Sequence, residues 1–154
     1  MQESFQKDWQ TVMNDALDPK LGPVFTMLMG EPGEETTMYD EITDYPRLRG
    51  VIEEKLEDYN LEPGTSAMDL VLFRDAMHHL CRIHRVLCLP RGNALLVGVG
   101  GSGKQSLTRL AAFAAGMQVF EISLTRSYGE ADFREDLKTL YNRLGAEKGG
   151  SPVV

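Results

Sequence analysis

Apolar residues recur at helical spacing in five segments of the chain, and each segment predicts an amphipathic helix. The apolar stripes cover residues 4–17, 48–59, 73–87, 104–115 and 133–144. Pro46 lies in the first turn of the second helix, where its missing N–H costs nothing. Ser127 and Glu130 have the spacing of a capping box before the last helix. Gly116 is predicted as the C′ residue of the fourth helix, and Gly145 closes the fifth.

Short apolar runs between turn signals predict strands. Residues 94–98, "ALLVG", are continuously apolar, as in a strand that is buried on both faces of a sheet. Residues 118–122, "QVFEI", predict a second strand, and "SPVV" at 151–154 predicts the start of a third. The order strand, glycine loop, helix, strand, helix, strand implies a parallel sheet with crossover helices. The earlier run "GPVFTMLMG", residues 22–30, predicts either a strand or an extended segment on another domain.

The length and composition suit one folded domain. The chain has 154 residues, of which 42% are hydrophobic. No apolar run is long enough to span a bilayer, and the first residues resemble no signal peptide, so we predict no membrane association. Cys81 and Cys88 fall in or near one predicted helix, which disfavours a disulfide and favours a reducing, cytoplasmic compartment.

The charge is distributed unevenly. The formal net charge of −7 argues against a general nucleic-acid binder. Residues 31–62 hold 11 acids and 3 bases, a balance of −8, whereas residues 74–109 hold 6 bases and 1 acid, a balance of +5. The basic part contains a glycine-rich loop and suits an anionic ligand. The alternative is a pair of solvated helix faces of opposite sign. The acidic part includes "GEPGEETTMYDE", residues 30–41, which has the composition of a linker.

The most informative motif is "LLVGVGGSGKQSL", residues 95–107, in which Gly98, Gly103 and Lys104 have the spacing of a phosphate-binding loop. A glycine loop between a strand and a helix directs backbone N–H groups towards an anion, and the helix start adds partial positive charge. The predicted cofactor-binding residues are Gly98, Val99, Gly100, Gly101, Ser102, Gly103, Lys104, Gln105 and Ser106. The alternative is a tight glycine turn with a solvent-exposed lysine.

Gln105 occupies the position at which such loops carry the Ser or Thr that binds Mg²⁺. Its amide oxygen is a neutral ligand that can coordinate this cation, which makes Gln105 a candidate metal ligand. Ser106 points about 100° further round the helix and is a poorer substitute. We therefore predict nucleotide binding and leave ATP turnover open. A nucleotide hydrolase of this type needs a carboxylate that follows a later apolar strand. After Gly150 only "SPVV" remains, so we expect the domain to be cut before that strand.

Residues 70–113, "LVLFRDAMHHLCRIHRVLCLPRGNALLVGVGGSGKQSLTRLAAF", resemble the fourth AAA+ module of axonemal dynein heavy chains. Residues 39–64, "YDEITDYPRLRGVIEEKLEDYNLEPG", and residues 127–141, "SYGEADFREDLKTLY", are similar to the same family. The resemblance implies an α/β fold of the P-loop NTPase type, with a parallel sheet and flanking helices, truncated before the Walker B strand. It also implies that residues 1–38 are the end of the preceding module with a linker, and that residues 39–154 begin a new module.

The resemblance further implies a part of an ATP-driven microtubule motor in the axoneme of cilia and flagella. Residues 98–104 would then hold ATP or ADP with Mg²⁺, and Leu70–Phe73 would lie near the adenine. Gln105 and Ser106 are similar to what axonemal fourth modules carry. The implied partners are neighbouring AAA+ modules, dynein light and intermediate chains, and microtubules. Two alternatives remain open: a nucleotide-gated regulatory module without hydrolysis, and a stand-alone P-loop NTPase or kinase, for which the sequence shows no complete substrate site.

Overall fold

The computed structural model describes residues 24–29, 39–145 and 152–154. Its elements are β1 (Val24–Thr26), β2 (Asp40–Ile42), α1 (Tyr45–Leu61), α2 (Arg74–Cys88), α3 (Lys104–Ala114) and α4 (Glu130–Gly145). Four of the five predicted helices are thus confirmed, whereas the helix predicted over residues 4–17 lies outside the described residues. In the described ranges, no helix has both the length and the apolar content needed to cross a bilayer.

The strands β1 and β2 pair in antiparallel fashion, with Val24 opposite Ile42 and Thr26 opposite Asp40. The run at residues 22–30, for which a strand was one of two predictions, therefore contains a strand. This pair packs on α2, and the side chain of Thr26 is buried. The boundary predicted between residues 38 and 39 stays a prediction, and β1 and β2 lie on its two sides.

The core lies where α1, α2 and α3 meet. Its most completely buried side chains include Leu48 and Ile52 from α1, Leu80 and Cys81 from α2, and Leu110 from α3. Many contacts join α2 and α3, because small residues on α3 such as the buried alanines let the two helices approach closely. The helix that follows the glycine loop is thus held rigidly from its buried face.

The predicted end of α3 is confirmed. Gly116 adopts the left-handed conformation with φ +66°, which glycine reaches without strain. The N–H of Met117 donates to the carbonyl of Ala112 at 2.9 Å, which closes the helix in a Schellman motif. At the other end of the helical core, the Asp44 side chain accepts a hydrogen bond from the N–H of Arg47 at 3.0 Å and caps α1.

The predicted capping box at the start of α4 is wrong. The helix begins at Glu130, so the residue that reaches back is Asp132, whose Oδ2 accepts from the N–H of Gly129 at 2.8 Å. The short Asp side chain reaches that N–H from the third helical position. The hydroxyl of Ser127 instead lies 3.4 Å from that of Thr125.

The strand predicted at residues 94–98 is not confirmed. The segment runs without regular secondary structure, and the side chains of Leu95 and Val97 are 89% and 86% exposed. Within the described ranges, this segment makes no backbone–backbone hydrogen bond. Parallel pairing is found instead between Gln118 and Val153, so the predicted parallel sheet is not confirmed beyond this single bridge.

A polar chain connects the start of α1 to the first turns of α2. The Arg74 guanidinium, which can only donate, bonds the Tyr45 hydroxyl oxygen at 3.3 Å, and that hydroxyl lies 3.1 Å from Nε2 of His78. The Tyr45 hydroxyl can both accept and donate, so it links the guanidinium to the imidazole. Burial, followed by the charges of Arg74 and Arg82, lowers the pKa of His78.

His84 is a second buried histidine on α2. Its Nε2 lies 3.8 Å from Sγ of Cys88, which like Cys81 is a free thiol. Burial lowers the pKa of His84, and a hydrogen bond to the backbone of Ala114 at the end of α3 opposes that shift. The neutral imidazole thus belongs to the contact between α2 and α3.

We expect the free energy of unfolding to fall between pH 7.5 and pH 5.5, partly because of His84. Its folded pKa lies below the unfolded value of 6.5, so protonation favours the unfolded chain as the pH drops through that window. One histidine contributes at most about 1.4 kcal/mol per pH unit. Urea unfolding across this range should show a smaller pH slope in His84→Gln than in the wild type. His79→Gln, at an exposed position on the same helix, is the control, and an unchanged slope in His84→Gln would contradict the prediction.

Candidate phosphate-binding loop

The glycine loop has a backbone that most residues cannot adopt. Gly101 has φ +75° and Gly103 has φ +77°, both in the left-handed region where a Cβ atom is disfavoured. These two residues turn the chain from the extended segment at residues 94–98 into α3. Gly101 and Gly103 are therefore required by the path of the chain.

The first turn of α3 leaves its backbone donors open. Gly103 is the N-cap, and its carbonyl accepts from the N–H of Leu107 at 2.9 Å. No side chain in the described residues caps this end, unlike α1, where Asp44 does so. The N–H groups of Lys104, Gln105 and Ser106 belong to this first turn and have no partner within the helix. An uncapped helix start that carries partial positive charge can accept an anion.

The side chain of Lys104 folds back across the loop. Its Nζ donates to the carbonyl oxygens of Gly98 at 2.9 Å and Val99 at 2.7 Å, and to Oγ of Ser102 at 3.0 Å. The positive charge is therefore held inside the bend of the loop, next to the open N–H groups. The side chain of Lys104 is half-buried and bonded to its own loop.

Gly98 allows this close approach because it has no side chain. A Cβ atom at this position would lie 3.2 Å from Oγ of Ser102 and 3.5 Å from Nζ of Lys104. The first distance is tighter than an ordinary van der Waals contact, so a larger residue would push the hydroxyl away. Sequence spacing thus identified a glycine at which a side chain would fit tightly.

A cleft of about 620 Å³ opens beside this loop. Lys104, Gln105 and Thr108 from α3 line one side, and residues 119–124 with Val154 line another. Ligand pockets usually have volumes of this order, and a polyphosphate chain is much smaller. The loop therefore faces a space that a nucleotide tail can enter.

The cleft offers few ligands for a metal ion. The side chain of Gln105 is exposed and lines the cleft, whereas the hydroxyl of Thr108 donates to the carbonyl of Lys104 at 2.8 Å. Among the described residues, no group of three or more His, Cys, Asp or Glu side chains could hold a metal ion. One amide oxygen suits Mg²⁺ only if phosphate oxygens and water complete its shell, which is how this cation usually binds.

Sequence reasoning missed one charged pair at the cleft. The guanidinium of Arg109 on α3 binds the carboxylate of Glu121 through two hydrogen bonds of 2.9 and 2.8 Å. This hydrogen bonding is the main cause that lowers the pKa of Glu121. The two residues are twelve positions apart and lie in different elements, so no local spacing indicates that they meet.

The structure brings together only part of the predicted site. Gly98, Ser102 and Lys104 are in contact, and Val99 contributes its carbonyl oxygen. Three further glycines shape the loop without contacts to its centre, namely Gly100, Gly101 and Gly103. Gln105 lines the cleft, whereas Ser106 is half-buried and lies outside the cleft lining. The adenine contact predicted for Leu70–Phe73 stays a prediction.

Comparison with known proteins places this loop in a defined family. Residues 68–153 match the family described as the P-loop containing dynein motor region D4. The chain is 48% identical over 162 aligned residues to the dynein-1-beta heavy chain of the flagellar inner arm I1 complex of Chlamydomonas reinhardtii, and 51% identical over 145 to human dynein axonemal heavy chain 10. Both alignments cover 94% of this chain, which spans only 4% and 3% of these relatives.

We expect Gly103→Ala to destabilise the fold by about 1–2 kcal/mol, because alanine is strained in the left-handed conformation. Gly100→Ala is the matched control, since a Cβ atom also meets open space there and the backbone φ is not positive. It should change stability by less than about 1 kcal/mol. Urea unfolding of the two variants tests this, and equal effects would mean that the backbone conformation at Gly103 is not what constrains the residue.

Proposed function

The chain belongs to the dynein heavy chain family, and from this premise we propose that residues 98–106 bind the phosphates of ATP or ADP. The observation that carries the proposal is the position of Lys104. Its ammonium lies within the bend of the loop, at hydrogen-bond distance from three loop oxygens. Phosphate oxygens are stronger partners for an ammonium than neutral oxygens are, because the attraction between two opposite charges adds to the hydrogen bond.

The backbone of the loop supplies the second half of the binding chemistry. The N–H groups in the uncapped first turn of α3 would donate to the phosphates while Lys104 neutralises their charge. The left-handed glycines at positions 101 and 103 keep Cβ atoms away from the ligand. We propose that the triphosphate enters through the cleft that Lys104 and Gln105 line.

We place the adenine at the segment Leu70–Phe73. Val71 and Phe73 are 75% and 60% exposed, so apolar surface is available there for a flat aromatic base. The intervening Leu72 is buried and anchors the segment in the core. The proposal rests on this alternation together with the resemblance of the segment to dynein modules.

We also propose that residues 94–98 are a strand of a parallel P-loop sheet. The apolar side chains of Leu95 and Val97 are exposed. Contact of this apolar surface with water is unfavourable unless further strands and helices cover it. The single parallel bridge between Gln118 and Val153 supports the same direction for the neighbouring strands. In that sheet α3 and α4 are the crossover helices, which fits the absence of buried residues on α4 as described.

We propose Gln105 as the residue that contacts Mg²⁺ when the cation accompanies the nucleotide. The amide oxygen would fill one position, and phosphate oxygens and water would fill the others. The cation would offset the negative charge of the β- and γ-phosphates. Gln105 would orient the nucleotide through this single ligand, a weaker hold than a loop hydroxyl and a carboxylate together provide.

At the level of the whole protein, we propose that the chain is part of an ATP-driven microtubule motor of the axoneme. The support is the identity of the relatives, which include flagellar inner-arm and outer-arm dyneins and human axonemal heavy chains. The proposed partners are neighbouring AAA+ modules of the same heavy chain, dynein light and intermediate chains, and microtubules. A stand-alone kinase or NTPase loses its support, because the matches are to dynein heavy chains.

A second candidate is a regulatory module that binds nucleotide without hydrolysing it. The observation that favours it is the ion pair at the cleft, in which Arg109 binds the Glu121 carboxylate through two hydrogen bonds. A carboxylate bound in this way is a poor general base, because Arg109 stabilises its ionised form. Position 105 also lacks the hydroxyl that usually holds Mg²⁺ for hydrolysis, which again favours binding without hydrolysis. Release of phosphate from ATP, measured beside nucleotide binding, separates the two candidates.

We expect Lys104→Ala to weaken the binding of a fluorescent ATP analogue at least tenfold, because it removes the charge at the centre of the loop. Lys138→Ala, which removes the same charge from the exposed face of α4, is the control and should bind as the wild type does. Inorganic tripolyphosphate should compete with the analogue. Unchanged affinity in Lys104→Ala would remove the proposed phosphate site.

We expect Gln105→Thr to bind Mg²⁺-nucleotide at least as tightly as the wild type does, because threonine restores the hydroxyl that this position usually carries. Equilibrium titrations in Mg²⁺ and in EDTA should show a larger gain from Mg²⁺ in the variant than in the wild type. A large loss of affinity in Mg²⁺ alone would show instead that the Gln105 amide is itself an effective ligand.

A further inference from the structure

We propose that Ser102 is a positioning residue: its hydroxyl holds the Lys104 ammonium in the ligand-free loop and thereby competes with incoming phosphate. The inference rests on the proposed phosphate site and adds a determinant of its affinity. Ser102 would act on the ligand through Lys104, since the contact that the structure shows is between Oγ and Nζ at 3.0 Å.

The donors of the ammonium are fully used in the ligand-free loop. A lysine ammonium has three N–H donors and no acceptor. The loop supplies three acceptors, namely the carbonyls of Gly98 and Val99 and the hydroxyl of Ser102. A phosphate that binds Lys104 must therefore displace at least one of them, and the displaced bond subtracts from the affinity.

Ser102 is the acceptor that can be removed without altering the backbone. The other two acceptors are carbonyls, whose positions follow from the path of the chain. The Ser102 residue is exposed, and in the described residues its hydroxyl makes this one hydrogen bond. Loss of the hydroxyl would therefore leave one ammonium donor free for phosphate and would break no other contact.

The hydroxyl is held near the ammonium by the shape of the loop. Oγ of Ser102 lies over Gly98, where it would meet an added Cβ atom at 3.2 Å. The missing side chain at Gly98 thus leaves room for the Ser102 hydroxyl and the Lys104 ammonium at this position. The three residues form one contact group, and substitution of any of them alters the same ammonium position.

A direct contact between Ser102 and phosphate would change the affinity of Ser102→Ala in the opposite direction. If the hydroxyl donates to a phosphate oxygen, Ser102→Ala loses a bond in the complex and binds more weakly. If the hydroxyl competes for Lys104, Ser102→Ala binds more tightly. The two roles are thus distinguished by the direction of one measured change.

The experiment compares the wild-type 154-residue chain with Ser102→Ala and Ser102→Thr. Stopped-flow fluorescence with an ATP analogue gives the association and dissociation rates, and tripolyphosphate competition gives the affinity for the phosphates alone. We expect Ser102→Ala to bind both ligands about three- to tenfold more tightly, mainly through faster association, as for loss of one charge-assisted hydrogen bond. Ser102→Thr keeps a hydroxyl and should restore wild-type values. Ser127→Ala, outside the loop, is the control.

A spectroscopic readout tests the contact without any ligand. The ¹⁵N-labelled Lys104 ammonium should give a proton signal protected from water exchange in the wild type and in Ser102→Thr, and a broadened signal in Ser102→Ala. Unchanged or weaker binding in Ser102→Ala, or an unchanged ammonium signal, would overturn the inference. If Lys104→Ala binds as well as the wild type, the proposed phosphate site itself fails. If Lys104→Ala loses binding and Ser102→Ala does not gain it, only the role of Ser102 fails.

Discussion

The site depends on one charged interaction, the attachment of the Lys104 ammonium to its own loop. Three oxygens from Gly98, Val99 and Ser102 surround Nζ within 3.0 Å. This arrangement needs a bend narrow enough for a side chain to cross it. The bend in turn needs left-handed glycines at positions 101 and 103, and a side chain at position 98 would fit tightly against Ser102. The same geometry concentrates positive charge beside open backbone donors, which is the chemistry that an anion requires.

The packing of the helical core determines where that charge is held. The residues Leu107 and Leu110 bury one face of α3 against the core, and many contacts join the helix to α2. The loop is therefore attached to a rigid helix at one end and to an exposed, extended segment at the other. A rigid helix start fixes the direction of the backbone N–H groups, whereas the extended segment makes no backbone–backbone hydrogen bond in the described ranges. The proposed phosphate site thus rests mainly on α3.

The two halves of the described structure differ in how completely they are packed. Helices α1 and α2 contribute buried residues to a shared core, and the buried histidines on α2 belong to it. Helix α4 buries no residue, and the apolar side chains of residues 94–98 are exposed. Apolar surface of this kind is stable only when it is covered. The proposed parallel sheet accounts for both exposed surfaces with one arrangement.

The sequence by itself determined the features that depend on neighbours along the chain. Helical periodicity identified four helices within a few residues, glycine chemistry identified the end of α3 at Gly116, and motif spacing identified the loop around Lys104. Contacts between distant segments came only from the tertiary structure, since the pairing of Arg109 with Glu121 and the burial of His84 depend on which elements pack together. The exposure of residues 94–98 has the same cause, because an apolar run indicates that a strand can be buried but does not supply the neighbours that bury it.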